Sequence, residues 1–202
     1  MDKLIGRHKE QLILKNCLES GRSEFVVIYG RRRIGKTFLV RRFFNDTYDF
    51  SFVGKHEMPR EQQLADFAKT LQRYSSSEFT PELKNWTQAF DGLAKLLEAK
   101  DTSRKKVIFF DEMPWMDTPK SDFVSSLENF WNGWAAMRDD IVFVACGSAT
   151  SWMIDSLLHN QGGLFNRITR KIYLRPFRLY EVEKYMDEHH FNWSRYLITQ
   201  CY

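Results

Sequence analysis

Short apolar runs alternate along the chain with longer segments in which apolar residues recur every three or four positions. The short runs are rich in β-branched and aromatic residues, which predicts buried strands, whereas the longer segments predict amphipathic helices. The predicted strands cover 25–29, 48–53, 107–110, 141–146 and 171–174, and the predicted helices cover 8–20, 36–44, 60–74, 86–100, 123–137 and 181–189. Apolar strands separated by helices indicate an α/β fold whose parallel sheet is covered by helices on both faces.

The composition is that of a globular domain with a sizeable core. The chain has 202 residues, of which 43% are hydrophobic and 28% charged, so disorder is not expected. No segment approaches the roughly 20 apolar residues of a membrane span, and the first residues lack the apolar run of a signal peptide. The three cysteines, Cys17, Cys146 and Cys201, lie far apart, which suits buried thiols in a reducing compartment. The sequence therefore predicts a cytoplasmic protein with no membrane partner.

The net charge of +4 is concentrated in one stretch of the chain. A basic cluster of this kind attracts a polyanionic ligand, and a phosphate-bearing ligand is enough to account for it. Charge alone leaves two alternatives open, a solvated basic face and a direct contact with nucleic acid. The cationic residues of the stretch are Arg31, Arg32, Arg33, Lys36, Arg41 and Arg42.

The strongest motif follows the first predicted strand and matches the phosphate-binding pattern G-x-x-x-x-G-K-[ST]. Its glycines let the backbone wrap so that successive N–H groups point at phosphate oxygens, and the next helix adds its positive dipole end. We expect Lys36 to contact the β- and γ-phosphates of ATP and the Thr37 hydroxyl to ligate Mg²⁺. The predicted nucleotide-binding residues here are Gly30, Arg31, Arg32, Arg33, Ile34, Gly35, Lys36, Thr37 and Phe38.

The third predicted strand ends in two carboxylates, Asp111 and Glu112. Ligands of open α/β sheets bind at the carboxyl ends of the strands, so both acids fall where a nucleotide would lie. We expect Asp111 to hold the hydration shell of Mg²⁺ and Glu112 to deprotonate the attacking water. A solvated acidic turn is the alternative, and the phosphate-binding motif upstream makes it the weaker one.

A polar stretch follows the fourth predicted strand, and its first hydroxyl is a further candidate for the site. Ser148, with Thr150 as the second choice, is predicted to contact the γ-phosphate or the attacking water. A turn that caps the following helix explains the same residues equally well.

Arg167 follows the glycine pair Gly162-Gly163, which is typical of a loop that can move. An arginine in such a loop is a candidate finger that stabilises the transferring phosphoryl group. An ordinary surface arginine is the more frequent use of this residue type.

These motifs together resemble the prokaryotic AAA-type ATPases often called archaeal ATPases, which are placed among the STAND signal-transduction P-loop ATPases. The resemblance rests on LIGRHKEQ at 4–11, VIYGRRRIGKT at 27–37, VIFFDEMPWM at 107–116, and the segment 144–176 that begins VACGSATSWM. It implies a five-stranded sheet of order 5-1-4-3-2, and it implies that Ile5, Gly6 and Arg7 lie near the adenine.

The resemblance also bears on domain organisation. Residues 1–176 are predicted to form the ATPase core, and 177–202 the start of a helical lid or C-terminal domain. The apolar stripe of Leu197, Ile198, Cys201 and Tyr202 has no polar cap after it, which suggests that the chain is cut short. Members of the family continue into a lid and a winged-helix or nuclease-like domain, so nucleic acid is an open partner through such a domain. A homo-oligomer is also open.

Three functions remain after this reading. The first is an ATPase that hydrolyses ATP to ADP and phosphate and couples hydrolysis to a partner. The second is a slow nucleotide-dependent signalling switch or scaffold, which shares every residue named above. The third is a small-molecule P-loop kinase, and the placement of Glu112 directly after Asp111 disfavours it because this arrangement activates water.

Overall fold

The computed structural model describes residues 4–101, 103–148, 150–158, 162–164 and 166–202, with the side chains of Thr150 and Cys201 left aside. Five strands form one parallel sheet of order β2-β3-β4-β1-β5. This is the predicted order 5-1-4-3-2 seen from the other edge, so the predicted fold is confirmed. The strands are β1 (Glu24–Tyr29), β2 (Phe50–Val53), β3 (Lys106–Asp111), β4 (Ile141–Gly147) and β5 (Arg170–Tyr173).

Helices connect the strands and follow the predicted segments closely. They are α1 (His8–Glu19), α2 (Lys36–Phe43), α3 (Arg60–Ser75), α4 (Trp86–Glu98), α5 (Phe123–Gly133), α6 (Thr150–Trp152, continued by a π-helix at Met153–Leu158), α7 (Leu179–Glu188) and α8 (Arg195–Cys201). Single 3₁₀ turns follow β3 at Met113–Met116 and α5 at Ala135–Met137. The prediction of one helix over 123–137 is wrong at its end, because the backbone leaves helical geometry at Trp134, directly after Gly133. Glycine weakens a helix at that point.

Two apolar clusters sandwich the sheet, and this explains why its strands show no polar alternation. On one face Phe25, Ile108 and Phe143 pack with the aromatic residues of α3, α4 and α5. On the other face Val26, Val107 and Val144 pack under α1 and α2. Successive side chains of a strand point to opposite faces, so a strand covered on both faces is apolar throughout.

The amino-terminal edge of the sheet is held by a buried ion pair. Lys106, the first residue of β3, donates to the carboxylate of Asp140, which also accepts two hydrogen bonds of 2.7 Å from Arg138. Arg138 is the larger cause, and Lys106 a further one, of the fall in the pKa of Asp140 from 3.8 to about 2. Every charge in this cluster therefore has an opposite charge in contact with it.

The C-terminal helix α8 packs against α7. In α8 Ile198 is buried, whereas Leu197 and Tyr202 are exposed. Only one of these three residues of the predicted apolar stripe is therefore covered. The side chain of Cys201 lies outside the described part of the structure.

None of the described helices combines the length and apolar character that are needed to cross a bilayer.

Candidate functional site

The loop between β1 and α2 has backbone angles that favour glycine at several positions. Gly30, Arg33 and Gly35 all have positive φ angles, of 145°, 63° and 89°. A Cβ atom on Gly30 would lie 2.5 Å from the carbonyl oxygen of Leu174, so that position requires glycine on steric grounds as well. Gly35 is the N-cap of α2 and brings the loop onto the positive end of the helix.

Lys36 is buried at the start of α2, and its ammonium points back into this loop. Its Nζ donates to the carbonyl oxygens of Gly30 at 3.0 Å and Arg31 at 2.8 Å. Within the described residues no carboxylate lies within salt-bridge distance of Lys36. A buried cation with only neutral partners fits a site for an anion, because burial of a charge is costly until it is paired.

Thr37 joins the loop to the end of β3. Its hydroxyl donates to Oδ2 of Asp111 at 2.8 Å. Burial raises the pKa of the Asp111 carboxyl, and the hydrogen bond from Thr37 opposes the rise only in part. The structure thus brings together the two residues predicted as metal ligands, in surroundings that favour a cation beside the carboxylate.

Glu112 lies one residue beyond Asp111 and has a left-handed backbone, with φ of 46°. Its N–H donates to Oδ1 of Asp111 at 2.9 Å, and its Oε2 accepts a hydrogen bond of 2.9 Å from the Ser148 hydroxyl. Ser148 follows β4, so the ends of two adjacent strands meet at this carboxylate. The side chain of Thr150, the second choice for this place, is outside the described residues.

A cavity of about 470 Å³ opens beside the loop. Its walls are mainly apolar and come from the N-terminal segment, the loop, α2, the chain after β5, and α7. The lining residues are Ile5, Arg7, Arg33, Ile34, Gly35, Phe38, Pro176, Phe177, Tyr185 and His189. The cavity has the size and apolar character of a small-ligand pocket.

Arg7 ties the walls of this cavity together. Its guanidinium donates to the carbonyl oxygens of Arg175 at 2.6 Å and Ile34 at 3.3 Å, and it lies 4.4 Å from the centre of the Phe177 ring. Burial lowers the pKa of Arg7, and the nearby carboxylates of Glu10 and Glu181 counter that effect. Gly6 packs against Glu181, where a Cβ would be only 2.9 Å from Oε1.

Among the described residues, three predicted site residues contribute no side-chain contact to this group. The side chains of Arg31 and Arg32 are exposed, and Arg32 lies 5.8 Å from the centre of the Trp115 ring. Arg167 is also exposed and precedes β5, so it sits at the amino-terminal edge of the parallel sheet. The phosphate loop is at the opposite edge, and the structure does not bring Arg167 to it.

Sequence reasoning missed four residues of the cavity, namely Pro176, Phe177, Tyr185 and His189. The available signal was the aromatic content after β5, but nothing in the spacing assigned it to this pocket. Cys146 was expected only as a buried thiol. Cys146 lies beside Asp111. Burial raises the pKa of Cys146 well above its usual value, and the charge of Asp111 is the next cause.

The family described as an ATPase domain predominantly from Archaea matches residues 4–193. An uncharacterized protein of Methanocaldococcus jannaschii is 24% identical over 189 residues, which is 91% of this chain and 38% of the relative. The predicted resemblance to archaeal ATPases is therefore confirmed.

Solved structures agree on the fold. A Walker-type ATPase of Pyrococcus abyssi gives a TM-score of 0.69 at 18% identity, covering 98% of this chain and 62% of that one. The ORC2 protein of Aeropyrum pernix, solved as ADPNP and ADP complexes, gives 0.64 at 16% identity, covering 96% and 55%. A STAND protein of Pyrococcus horikoshii with a tetratricopeptide-repeat sensor gives 0.57 at 18% identity, covering 100% and 28%. The chain spans less than two thirds of the length of each protein it is compared with.

Proposed function

The chain belongs to the family of ATPase domains found predominantly in Archaea, and from this premise we propose that it binds Mg²⁺·ATP and hydrolyses it to ADP and phosphate. The observation that carries the proposal is the meeting of Thr37, Asp111 and Glu112 beside the buried ammonium of Lys36. A cation for phosphate, two oxygens for a metal and a carboxylate for water are the parts that this reaction needs.

The ligand set suits Mg²⁺ in the presence of a nucleotide. Mg²⁺ prefers oxygen ligands and keeps several waters, so one hydroxyl and one carboxylate suffice when phosphate oxygens supply the rest. Thr37 and Asp111 offer these two oxygens, and the raised pKa of Asp111 fits a carboxylate that lacks a cation. When bound, the metal neutralises charge that develops on the phosphate oxygens.

Lys36 and the loop have complementary tasks in this proposal. The N–H groups of the loop hold the phosphates, and Lys36 exchanges the two carbonyl oxygens that it now contacts for the β- and γ-phosphate oxygens. The adenine base enters the cavity between Ile5 and Phe177. Arg7 holds the cavity wall in place through its hydrogen bond to the carbonyl oxygen of Arg175. The ADPNP and ADP complexes of the similar ORC2 protein support an adenine nucleotide as the ligand.

Glu112 is proposed as the general base. It takes a proton from water as that water attacks the γ-phosphorus, and the Ser148 hydroxyl orients the carboxylate through Oε2. In this proposal Ser148 acts through Glu112, whereas the sequence predicted a direct contact with the γ-phosphate or the attacking water.

A slow nucleotide-dependent switch is the second candidate, and the same hydrogen bond favours it. Oε2 of Glu112 already accepts a hydrogen bond from Ser148, so the attacking water must compete with Ser148 for this oxygen. The proteins compared above are longer than this chain, so the output and any macromolecular partner are also matters of proposal. We propose that 177–202 begins a further domain, and that Arg167 reaches a nucleotide only in a neighbouring copy.

The test is Glu112→Gln, measured for both ATP affinity and phosphate release. The amide keeps the size of the side chain but cannot take a proton, so we expect binding to persist and kcat to fall by about 10²–10⁴. Glu82→Gln, which removes an exposed carboxylate, is the matched control and keeps the parental rate. If Glu112→Gln released phosphate at the parental rate, the base would lie elsewhere.

A further inference from the structure

A second concave site shares Arg7 and Pro176 with the proposed nucleotide cavity. It encloses about 370 Å³ between the start of α1, the end of β5 and the start of α7. Its rim carries the cations Lys9, Arg175 and Arg178 and the phenol rings of Tyr173 and Tyr180. We call these five residues the basic cleft. The proposed ATPase chemistry uses none of their side chains.

Among the described residues, the cations of the basic cleft form no ion pair. Two carboxylates also line the same concavity. Glu181 accepts from the backbone N–H groups of Arg7 and Arg178, and Glu10 lies 4.0 Å from Arg7. No ion pair within 4.0 Å joins Lys9, Arg175 or Arg178 to a carboxylate among the residues the structure describes. Three cations around a concavity create a positive potential that favours a polyanion.

The aromatic rings of the cleft are accessible. Tyr180 is 55% and Tyr173 48% exposed. Arg175 lies 5.7 Å from the centre of the Tyr173 ring, and the centre of the Tyr29 ring lies 5.2 Å from the same point. The cleft therefore offers flat surfaces among its cations, and a flat surface is what an unstacked base binds.

We propose that the basic cleft binds single-stranded nucleic acid. Phosphates contact Lys9, Arg175 and Arg178, and bases stack on Tyr180 and on the Tyr173–Arg175 pair. Duplex bases are stacked on one another and cannot reach the rings, so a duplex binds through charge alone. An acidic peptide would satisfy the cations but would leave the rings without a partner. The cleft also differs in place from the basic run Arg31–Arg33, which belongs to the phosphate loop.

The test is fluorescence anisotropy of a labelled oligo(dT) of about 20 nucleotides with the full chain, at about 50 and 200 mM salt. The variant Arg175→Gln/Arg178→Gln should bind at least about 10-fold more weakly and flatten the salt slope by about 1.4, because each single-strand phosphate contact contributes about 0.7. Tyr180→Ala keeps every charge and should weaken binding by about 5- to 150-fold through lost stacking.

Matched controls separate the cleft from general basicity. Lys84→Gln/Lys95→Gln removes two exposed lysines from elsewhere on the surface and should leave oligo(dT) binding unchanged. Melting curves show which variants are folded, and Tyr180→Ala keeps the test valid if the arginine pair unfolds. The proposal is overturned if the wild type does not bind oligo(dT) at the lower salt. It is also overturned if the cleft variants bind like the wild type, or if polyglutamate competes as well as unlabelled oligo(dT).

Discussion

Strand β3 begins and ends with a buried charge, and its two ends are built in opposite ways. At the amino end, Lys106 contacts Asp140, and the same carboxylate also pairs with Arg138. At the carboxyl end, Asp111 has the hydroxyl of Thr37, a backbone N–H and no cation at contact distance among the described residues. The pKa of Asp140 is lowered and that of Asp111 is raised.

The difference indicates which buried charge serves the fold and which serves a ligand. A carboxylate with its counter-ions in place stabilises the native state, whereas one that is desolvated without them costs stability until a cation arrives. Lys36 shows the same imbalance with the opposite sign at the same edge of the sheet. The carboxyl edge therefore has a place for both an anion and a cation, as Mg²⁺·ATP would supply.

Asp140→Asn removes the carboxylate that pairs with Lys106 at the amino end of β3. It leaves Lys106 buried without its counter-charge, so we expect the free energy of unfolding to fall by about 3 kcal/mol, the lower range for breaking a buried pair. Affinity for ATP should not change among the molecules that remain folded. Urea denaturation of Asp140→Asn beside Asp139→Asn, its exposed neighbour, measures the effect. An equal loss in both variants would remove the special role of the pair.

Acid titration tests the same end without a mutation. The pKa of Asp140 is about 2 in the folded protein against 3.8 for an unperturbed carboxyl. Its contribution, about 2 kcal/mol, is therefore fully present above pH 3.8 and is lost as the pH falls through 2. Unfolding free energies of the wild type should fall across this window more steeply than those of Asp140→Asn. Parallel curves would contradict the assignment.

Asp111→Asn removes the buried carboxylate at the carboxyl end of β3. It should change the free energy of unfolding the least, and in the opposite direction to Asp140→Asn. Burial raises the folded pKa of Asp111, so the ionised form is disfavoured in the fold, and its removal should stabilise the ligand-free protein. The wild type should gain more stability than this variant when Mg²⁺·ATP is added. Destabilisation of the ligand-free variant, as with Asp140→Asn, would mean that Asp111 is a structural charge.

The phosphate end of the site could be predicted because phosphate binding requires a backbone conformation that is set by neighbouring residues in the sequence. Glycines at positive φ, a lysine at the start of a helix and acids at the end of an apolar strand leave a readable pattern. Gly30, Lys36 and Asp111 accordingly lie together as expected. The sheet order came from the family resemblance, because periodicity alone does not choose among parallel orders.

The base end of the site could not be predicted from pattern. Phe177, Tyr185 and His189 line the cavity only because the segment after β5 turns back toward the N-terminal residues. That turn depends on Glu181, whose carboxylate bridges the backbone of Arg7 and Arg178 over a long sequence separation. The position of Arg167 has a related explanation, since a residue that precedes a parallel strand lies at the edge of the sheet opposite the ligand.

The most direct measurement is calorimetric titration of Mg²⁺·ATP into the wild type and into Lys36→Ala. We expect binding to the wild type and a loss of affinity of about 100-fold or more in the variant, since the charge-assisted contacts to the phosphates are removed. We also expect Lys36→Ala without ligand to be at least as stable as the wild type, because the missing charge had only carbonyl partners. Equal affinity of the two proteins for ATP would contradict the assignment of the phosphate site.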